Sequence, residues 1–147
     1  FPEIGVTARA PDETTLEAAR SEILRALGRT IFATEEIPLP EALGKALKSR
    51  SMTVASAESC TGGLIGHVIT EIPGSSDYFR GGVIAYDNSI KGSMLGVDQA
   101  DLEAHGAVSE PVVRAMAVLR ASIQSAVARL AGVGVFVTMC TGVAVHS

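Results

Sequence analysis

The run Thr53-Val54-Ala55-Ser56-Ala57-Glu58-Ser59-Cys60-Thr61-Gly62-Gly63, followed by apolar Leu64-Ile65-Gly66-His67-Val68-Ile69, constrains this chain more than any other stretch. The residues up to Ala57 predict a buried strand, the polar stretch with two glycines a tight turn, and the residues after it a helix running to about Ile72. Such a turn aims several backbone N–H groups and the positive end of a helix dipole at one point. A hydroxyl and a thiol stand beside that point, so an anion or a developing oxyanion would sit there. The alternative is a Gly-Gly pair that only turns a strand into a helix.

The rest of the chain repeats the alternation. Gly81-Gly82-Val83-Ile84-Ala85-Tyr86 predicts a second buried strand, and Asp87-Asn88-Ser89 ends it and begins a helical turn containing Lys91. Ser109-Glu110-Pro111 caps a further helix whose buried face is Val112, Val113, Met116, Leu119, Ile123, Val127 and Leu130. Gly132 stops it, Val133–Met139 forms a third strand, and Cys140-Thr141-Gly142 lies at that strand's carboxyl end. Strands alternating with helices predict an α/β fold: a mainly parallel sheet with helices on both faces and sites at the carboxyl ends of the strands.

The amino-terminal part reads as a small β-α-β fragment. Ile4–Ala8 alternates as a half-buried strand, Asp12 caps a helix carrying Leu16, Ala19, Ile23, Leu24 and Leu27, Gly28 stops it, and Thr30–Ala33 is a second strand. Ile37-Pro38-Leu39-Pro40 interrupts both patterns, because proline lacks the amide donor and restrains the residue before it. This places a boundary between a domain at 1–37 and a domain at 38–147. Beyond it a helix carrying Leu43, Ala46 and Leu47 leads into the first strand of the sheet.

Composition narrows the function. With 47% hydrophobic but only 4% aromatic residues, the core must be built from Ala, Val, Ile and Leu, which suits an α/β domain and argues against disorder. The 12 Lys and Arg against 16 Asp and Glu leave no basic footprint for a nucleic-acid backbone, so no nucleic acid is expected as partner. Apolar runs are short and broken, and no basic leader precedes an apolar stretch, so no membrane partner and a cytoplasmic location are expected. Cys60 and Cys140 do not make a disulfide scaffold or a CxxC site, and His67, His105 and His146 each lack a second ligand at metal-binding spacing, so no metal is expected.

Three chemistry-bearing residues fall at or just past strand ends. Ser59 ends the first strand, Tyr86 the second, and Lys91 lies a turn beyond, so all three can face one crevice. Serine is a poor nucleophile until a base removes its proton, and a lysine serves as that base only where its surroundings favour the neutral amine. Tyr86 can donate or relay a proton. Plainer roles compete: Ser59 and Thr61 as helix caps, Tyr86 as a strand residue with its hydroxyl in water, Lys91 as surface charge. Cys60 is a rival nucleophile, and Glu58 either orients the lysine or the turn amides or is solvated.

Ala57-Glu58-Ser59-Cys60-Thr61-Gly62-Gly63, Pro73-Gly74-Ser75-Ser76, Gly81–Tyr86 with Asn88 and Lys91, Leu95-Gly96-Val97 and His105-Gly106-Ala107-Val108-Ser109-Glu110 form an ordered series. That series resembles the CinA carboxy-terminal domain, a family of nicotinamide mononucleotide deamidases also described as competence or damage-inducible proteins. The resemblance implies hydrolysis of the carboxamide of nicotinamide mononucleotide to nicotinic acid mononucleotide and ammonia, in pyridine nucleotide recycling, without a metal or organic cofactor. It implies Ser59 as nucleophile, Lys91 as base and Tyr86 as assisting residue. Glu58, Thr61, Gly62, Gly63, Thr141 and Gly142 are then expected to bind the substrate, a small-molecule nucleotide.

Residues 1 to 32 resemble the end of the KH-type domain that precedes the deamidase in longer CinA proteins. Where the family continues with Thr-Gly-Ile-Ala-Gly-Pro, this chain reads Thr141-Gly142-Val143-Ala144-Val145-His146-Ser147. The domain is accordingly expected to be shortened at its carboxyl end, with an uncovered sheet edge that favours homo-oligomers and weak activity. Two rivals to the enzyme are a non-catalytic CinA-like nucleotide-binding or interaction fragment, and a phosphate-binding module unrelated to amide chemistry.

Overall fold

A computed structural model of the chain describes residues 3–118, 134–140 and 143–145. The chain divides into two compact units, Phe1–Leu43 and Gly44–Ser147. In the first, helix α1 (Glu13–Leu27) starts where the sequence predicts: the Asp12 carboxylate accepts the Thr15 amide at 2.8 Å, and Gly28 closes the helix with φ of 52°. The strands expected on either side of it are absent. Residues 4–8 and 31–33 form no ladder, and Ile4, Val6 and Phe32 are exposed. Alternating apolar residues choose a face for a strand but supply no partner, and two short segments bury too little to offset the entropy of ordering them.

The second unit begins in α2 (Leu39–Ser49) and is built on a sheet that has four strands among the described residues, in the order β2-β1-β3-β4. Here β1 is Thr53–Glu58, β2 Phe79–Ile84, β3 Gly134–Cys140 and β4 Val143–Val145. β1 pairs in parallel with β2 and with β3, and β4 runs antiparallel to β3. The expected α/β fold with a mainly parallel sheet is therefore present. Between β1 and β2 lie α3 (Leu64–Thr70) and the turn at Pro73–Ser76; after β2 come α4 (Asn88–Leu95), α5 (Gln99–His105) and α6 (Glu110–Ala117). The strand order reverses around β1, which has β2 on one side and β3 on the other, so its carboxyl end is where a crevice opens in such sheets.

Alternation along β1 sorts the two faces. Ala57 packs in a buried cluster with Ala85, Leu95, Val97, Leu102, Val112 and Met116, most of them from α4 to α6 and the segments that join them. Ser56 and Glu58 point to the other face, where Glu58 meets the first turn of α3.

Two boundaries move relative to the sequence reading. The second strand runs Phe79–Ile84 rather than Gly81–Tyr86, because it carries an extra residue opposite Val54–Ser56, with Gly81 at φ of 121°. Tyr86 lies two residues past its end. The short helix α5, opened by the Asp98 carboxylate accepting the Ala100 amide, was not expected from periodicity. The predicted helical positions Leu119, Ile123, Val127 and Leu130, the stop at Gly132, and Thr141 and Gly142 lie outside the described residues. Among the described residues no helix is long and apolar enough to cross a membrane.

Candidate active site

Everything between β1 and α3 turns on one carboxylate. Gly63 caps α3 with φ of 100° and offers no side chain to accept the first helical amides. Glu58 does so instead from the end of β1, taking the Ile65 amide on Oε2 at 3.0 Å and the Gly66 amide on Oε1 at 2.9 Å. The Thr61 hydroxyl donates to Oε2 at 2.8 Å and the Ser56 hydroxyl to Oε1 at 3.0 Å. Only 2% of the residue is exposed. Burial by itself raises this carboxyl's pKa, but the Gly66, Ile65, Thr61 and Ser56 hydrogen bonds outweigh it and hold the group below its ordinary value.

A carboxyl whose pKa is lowered on folding adds stability that is fully present above its unfolded value, near 4.5, and is lost as pH falls through the lowered folded value. The midpoint of thermal unfolding should therefore drop as pH is taken below that value, and the drop should be shallower in Glu58→Gln. Parallel profiles for the two proteins would exclude Glu58 as a source of the acid sensitivity.

Ser56 depends in turn on Gly82, its partner across the β1–β2 ladder. A Cβ at Gly82 would run into the Ser56 hydroxyl and lie 3.2 Å from its carbonyl oxygen. Gly82→Ala should cost about 1–3 kcal/mol, read as a lower unfolding midpoint. Much of that loss should disappear in the Ser56→Ala background, where the hydroxyl is gone. Neither Ser56 nor Gly82 was singled out from sequence. Ser56 stands two residues before Glu58, on the same face of a strand, and that period was the available signal.

Ser59 follows directly and is 7% exposed. The Ala85 amide donates to the carbonyl of Glu58, the last residue of β1, at 2.7 Å, which carries the pairing one residue past β2 and sets Ser59 just beyond the end of the ladder. Cys60 is exposed. The turn closes through Gly62 N to Ser59 O at 3.0 Å and Leu64 N to Thr61 O at 3.1 Å, with Gly62 at φ of 60°.

Lys91, in α4, is 1% exposed, which removes its reading as surface charge. Its ammonium nitrogen donates to the Tyr86 carbonyl at 2.9 Å and to Asn88 Oδ1 at 3.2 Å. Asn88 thereby joins the site through its side chain. Among the described residues these two partners leave a third tetrahedral position on Nζ, and no hydrogen bond joins it to Ser59. The helix that carries Lys91 is capped by Asp87. Hydrogen bonds from Ser89 hold that exposed carboxyl below the usual range, with Lys91 adding a smaller attraction. Tyr86 reaches Lys91 through its backbone carbonyl, while the residue as a whole is 74% exposed.

The arrangement defines an α/β domain with a serine-bearing turn at the carboxyl end of a central strand and a buried lysine on the helix after its neighbour. The chain belongs to the CinA C-terminal domain family, whose model matches residues 36–137. It is 47% identical over 116 residues to the CinA-like protein of Gloeothece citriformis, covering 76% of this chain and 28% of that protein. It is 52% identical over 95 residues to the CinA-like protein of Chlorobium limicola, covering 65% of this chain and 22% of that one. The chain thus spans about a quarter of the length of these curated relatives. Among solved structures, the competence/damage inducible protein CihA from Agrobacterium tumefaciens matches with a TM-score of 0.56 and 36% identity, over 70% of this chain and 59% of that chain. The competence damage-inducible protein A from Klebsiella pneumoniae matches with a TM-score of 0.57 and 26% identity, over 67% of this chain and 58% of that chain.

Proposed function

We infer that this domain hydrolyses a carboxamide through an acyl-enzyme on Ser59, and that the substrate is nicotinamide mononucleotide, giving nicotinic acid mononucleotide and ammonia. The observation that carries the reading is Lys91: a lysine buried to 1% exposure, steered by two acceptors and, among the described residues, left with one open position on Nζ. Burying a lysine is costly, and a site built to hold one there serves chemistry better than packing. The substrate class rests on the sequence resemblance to the deamidase family.

In this reading Ser59 Oγ attacks the carboxamide carbon while Lys91 Nζ takes the hydroxyl proton. The oxyanion that forms is stabilised by amides of the turn around Thr61–Gly63. Collapse breaks the C–N bond, and Lys91 returns its proton to the departing nitrogen, which leaves as ammonia. Water then attacks the acyl-Ser59 ester, giving up a proton to Lys91; collapse breaks the bond from the acyl carbon to Oγ, Lys91 returns that proton to Ser59 Oγ, and the acid leaves as its carboxylate with its own proton passing to water. The missing Ser59–Lys91 hydrogen bond accords with the looser geometry such pairs show before substrate arrives. Tyr86, exposed at the rim, assists by its hydroxyl once a nucleotide covers it.

The test is ammonia release from nicotinamide mononucleotide, with the nucleotide product identified by mass. Stoichiometric ammonia and nicotinic acid mononucleotide are expected. Binding of the nucleotide without ammonia would favour a nucleotide-binding module, the second reading. Neither binding nor turnover would favour an interaction fragment.

A further inference from the structure

We propose that Glu58 is the positioning residue for Ser59, fixing the turn that presents the nucleophile, and that it takes no part in binding substrate. This rests on the reading of Ser59 as nucleophile. A carboxylate offers about four acceptor positions, two on each oxygen. Here Oε1 is occupied by the Ser56 hydroxyl and the Gly66 amide, and Oε2 by the Thr61 hydroxyl and the Ile65 amide. Nothing is left for a ligand to use. The four donors come from β1, from the middle of the turn and from the first turn of α3, so one side chain joins the elements on both sides of Ser59.

The backbone of Glu58 completes the clamp, since its carbonyl accepts the Ala85 amide at 2.7 Å. Ser59 is thus held between a residue locked to β2 through its main chain and a turn locked to the same residue through its side chain. A small displacement of a nucleophile of about 1 Å costs on the order of 10²-fold in rate. The expected signature is therefore a loss concentrated in kcat with KM little changed, because the groups that move, Ser59 Oγ and the turn amides, act on the substrate chiefly in the transition state.

Glu58→Gln tests this without changing size. A glutamine amide keeps two acceptor positions on its oxygen and presents N–H groups to the other pair of donors, so either Gly66 N and Ser56 Oγ or Ile65 N and Thr61 Oγ1 must face a donor. The expected result is a fall in kcat on nicotinamide mononucleotide of roughly 10- to 100-fold with KM within about twofold. The rate at which a fluorophosphonate labels Ser59, which reports the nucleophile independently of the amide substrate, should fall in parallel. Glu58→Asp keeps the charge and should recover part of both rates. Ser56→Ala removes one donor and leaves the carboxylate in place, so it serves if Glu58→Gln fails to fold, with a smaller loss in the same two rates.

A raised KM with unchanged kcat and labelling in Glu58→Gln would make Glu58 a substrate ligand and overturn the proposal. Wild-type rates in folded Glu58→Asp and Ser56→Ala would overturn it also. If the wild-type chain is labelled at Ser59 but releases no ammonia, the substrate assignment fails alone, and parallel loss of labelling in the variants still supports the role of Glu58. If the wild-type chain is neither labelled nor active, Ser59 is no nucleophile and the proposal falls with it.

Discussion

Ser59→Ala is expected to lower ammonia release by at least about 10³-fold while leaving nucleotide affinity within a few-fold, the largest change any single substitution in this chain should produce. Alanine removes the attacking oxygen. It keeps the backbone that carries Gly62 N to Ser59 O and leaves the carboxylate of Glu58 on its four donors, so the turn should retain its form. Cys60→Ala is the control, because the neighbouring thiol is exposed and is the other nucleophile at this point of the chain. Turnover by initial rates and affinity by titration calorimetry decide the matter. If ammonia release survives in Ser59→Ala and disappears in Cys60→Ala, the nucleophile is Cys60.

The second large effect is expected at Lys91. Lys91→Met should reduce turnover by about 10²- to 10⁴-fold, the range a positioned acid–base group contributes. It should also lower stability by roughly 1–3 kcal/mol, because the Tyr86 carbonyl and Asn88 Oδ1 lose their shared donor. Lys91→Arg separates base from charge. A guanidinium keeps a positive charge but stays protonated at working pH, and its planar fork must enter a place where the lysine is 1% exposed. Both variants should therefore fail at turnover, whatever their unfolding midpoints. Near-normal kcat in Lys91→Arg would mean that Lys91 serves by charge, as a binding group, and that another residue takes the Ser59 proton.

Much of the fold was legible because local signals and the ladder agree. Asp12 and Gly28 bracket α1 as expected, β1 and α3 fall where the run from Thr53 to Ile69 puts them, and the strand before Cys140 is present. The amino-terminal strands were misread because alternation at Ile4–Ala8 and Thr30–Ala33 is a property of one segment, whereas a strand is a property of two. The start of β2 was misread because Gly81 looks like the opening of a strand and is instead its bulge, a distinction set by the register against Val54 and Ser56.

The candidate site divides in the same way. Sequence by itself determined the chemical inventory: a hydroxyl and a thiol at the end of a strand, a glycine turn into a helix, a lysine one turn past the next strand, and a family resemblance strong enough to order them. These are facts about residue type and spacing, and both survive in any arrangement of the chain. Only the tertiary structure decided which groups are dry and which are already partnered. It buried Lys91 against the Tyr86 carbonyl and Asn88, left the Tyr86 ring in solvent, and turned Glu58 inward, where its carboxylate is filled by donors from positions 56, 61, 65 and 66. The physical reason is that burial and hydrogen-bond saturation depend on what lies across the sheet and at the start of the next helix, and no spacing along the chain encodes how many of a carboxylate's acceptor positions remain for a ligand.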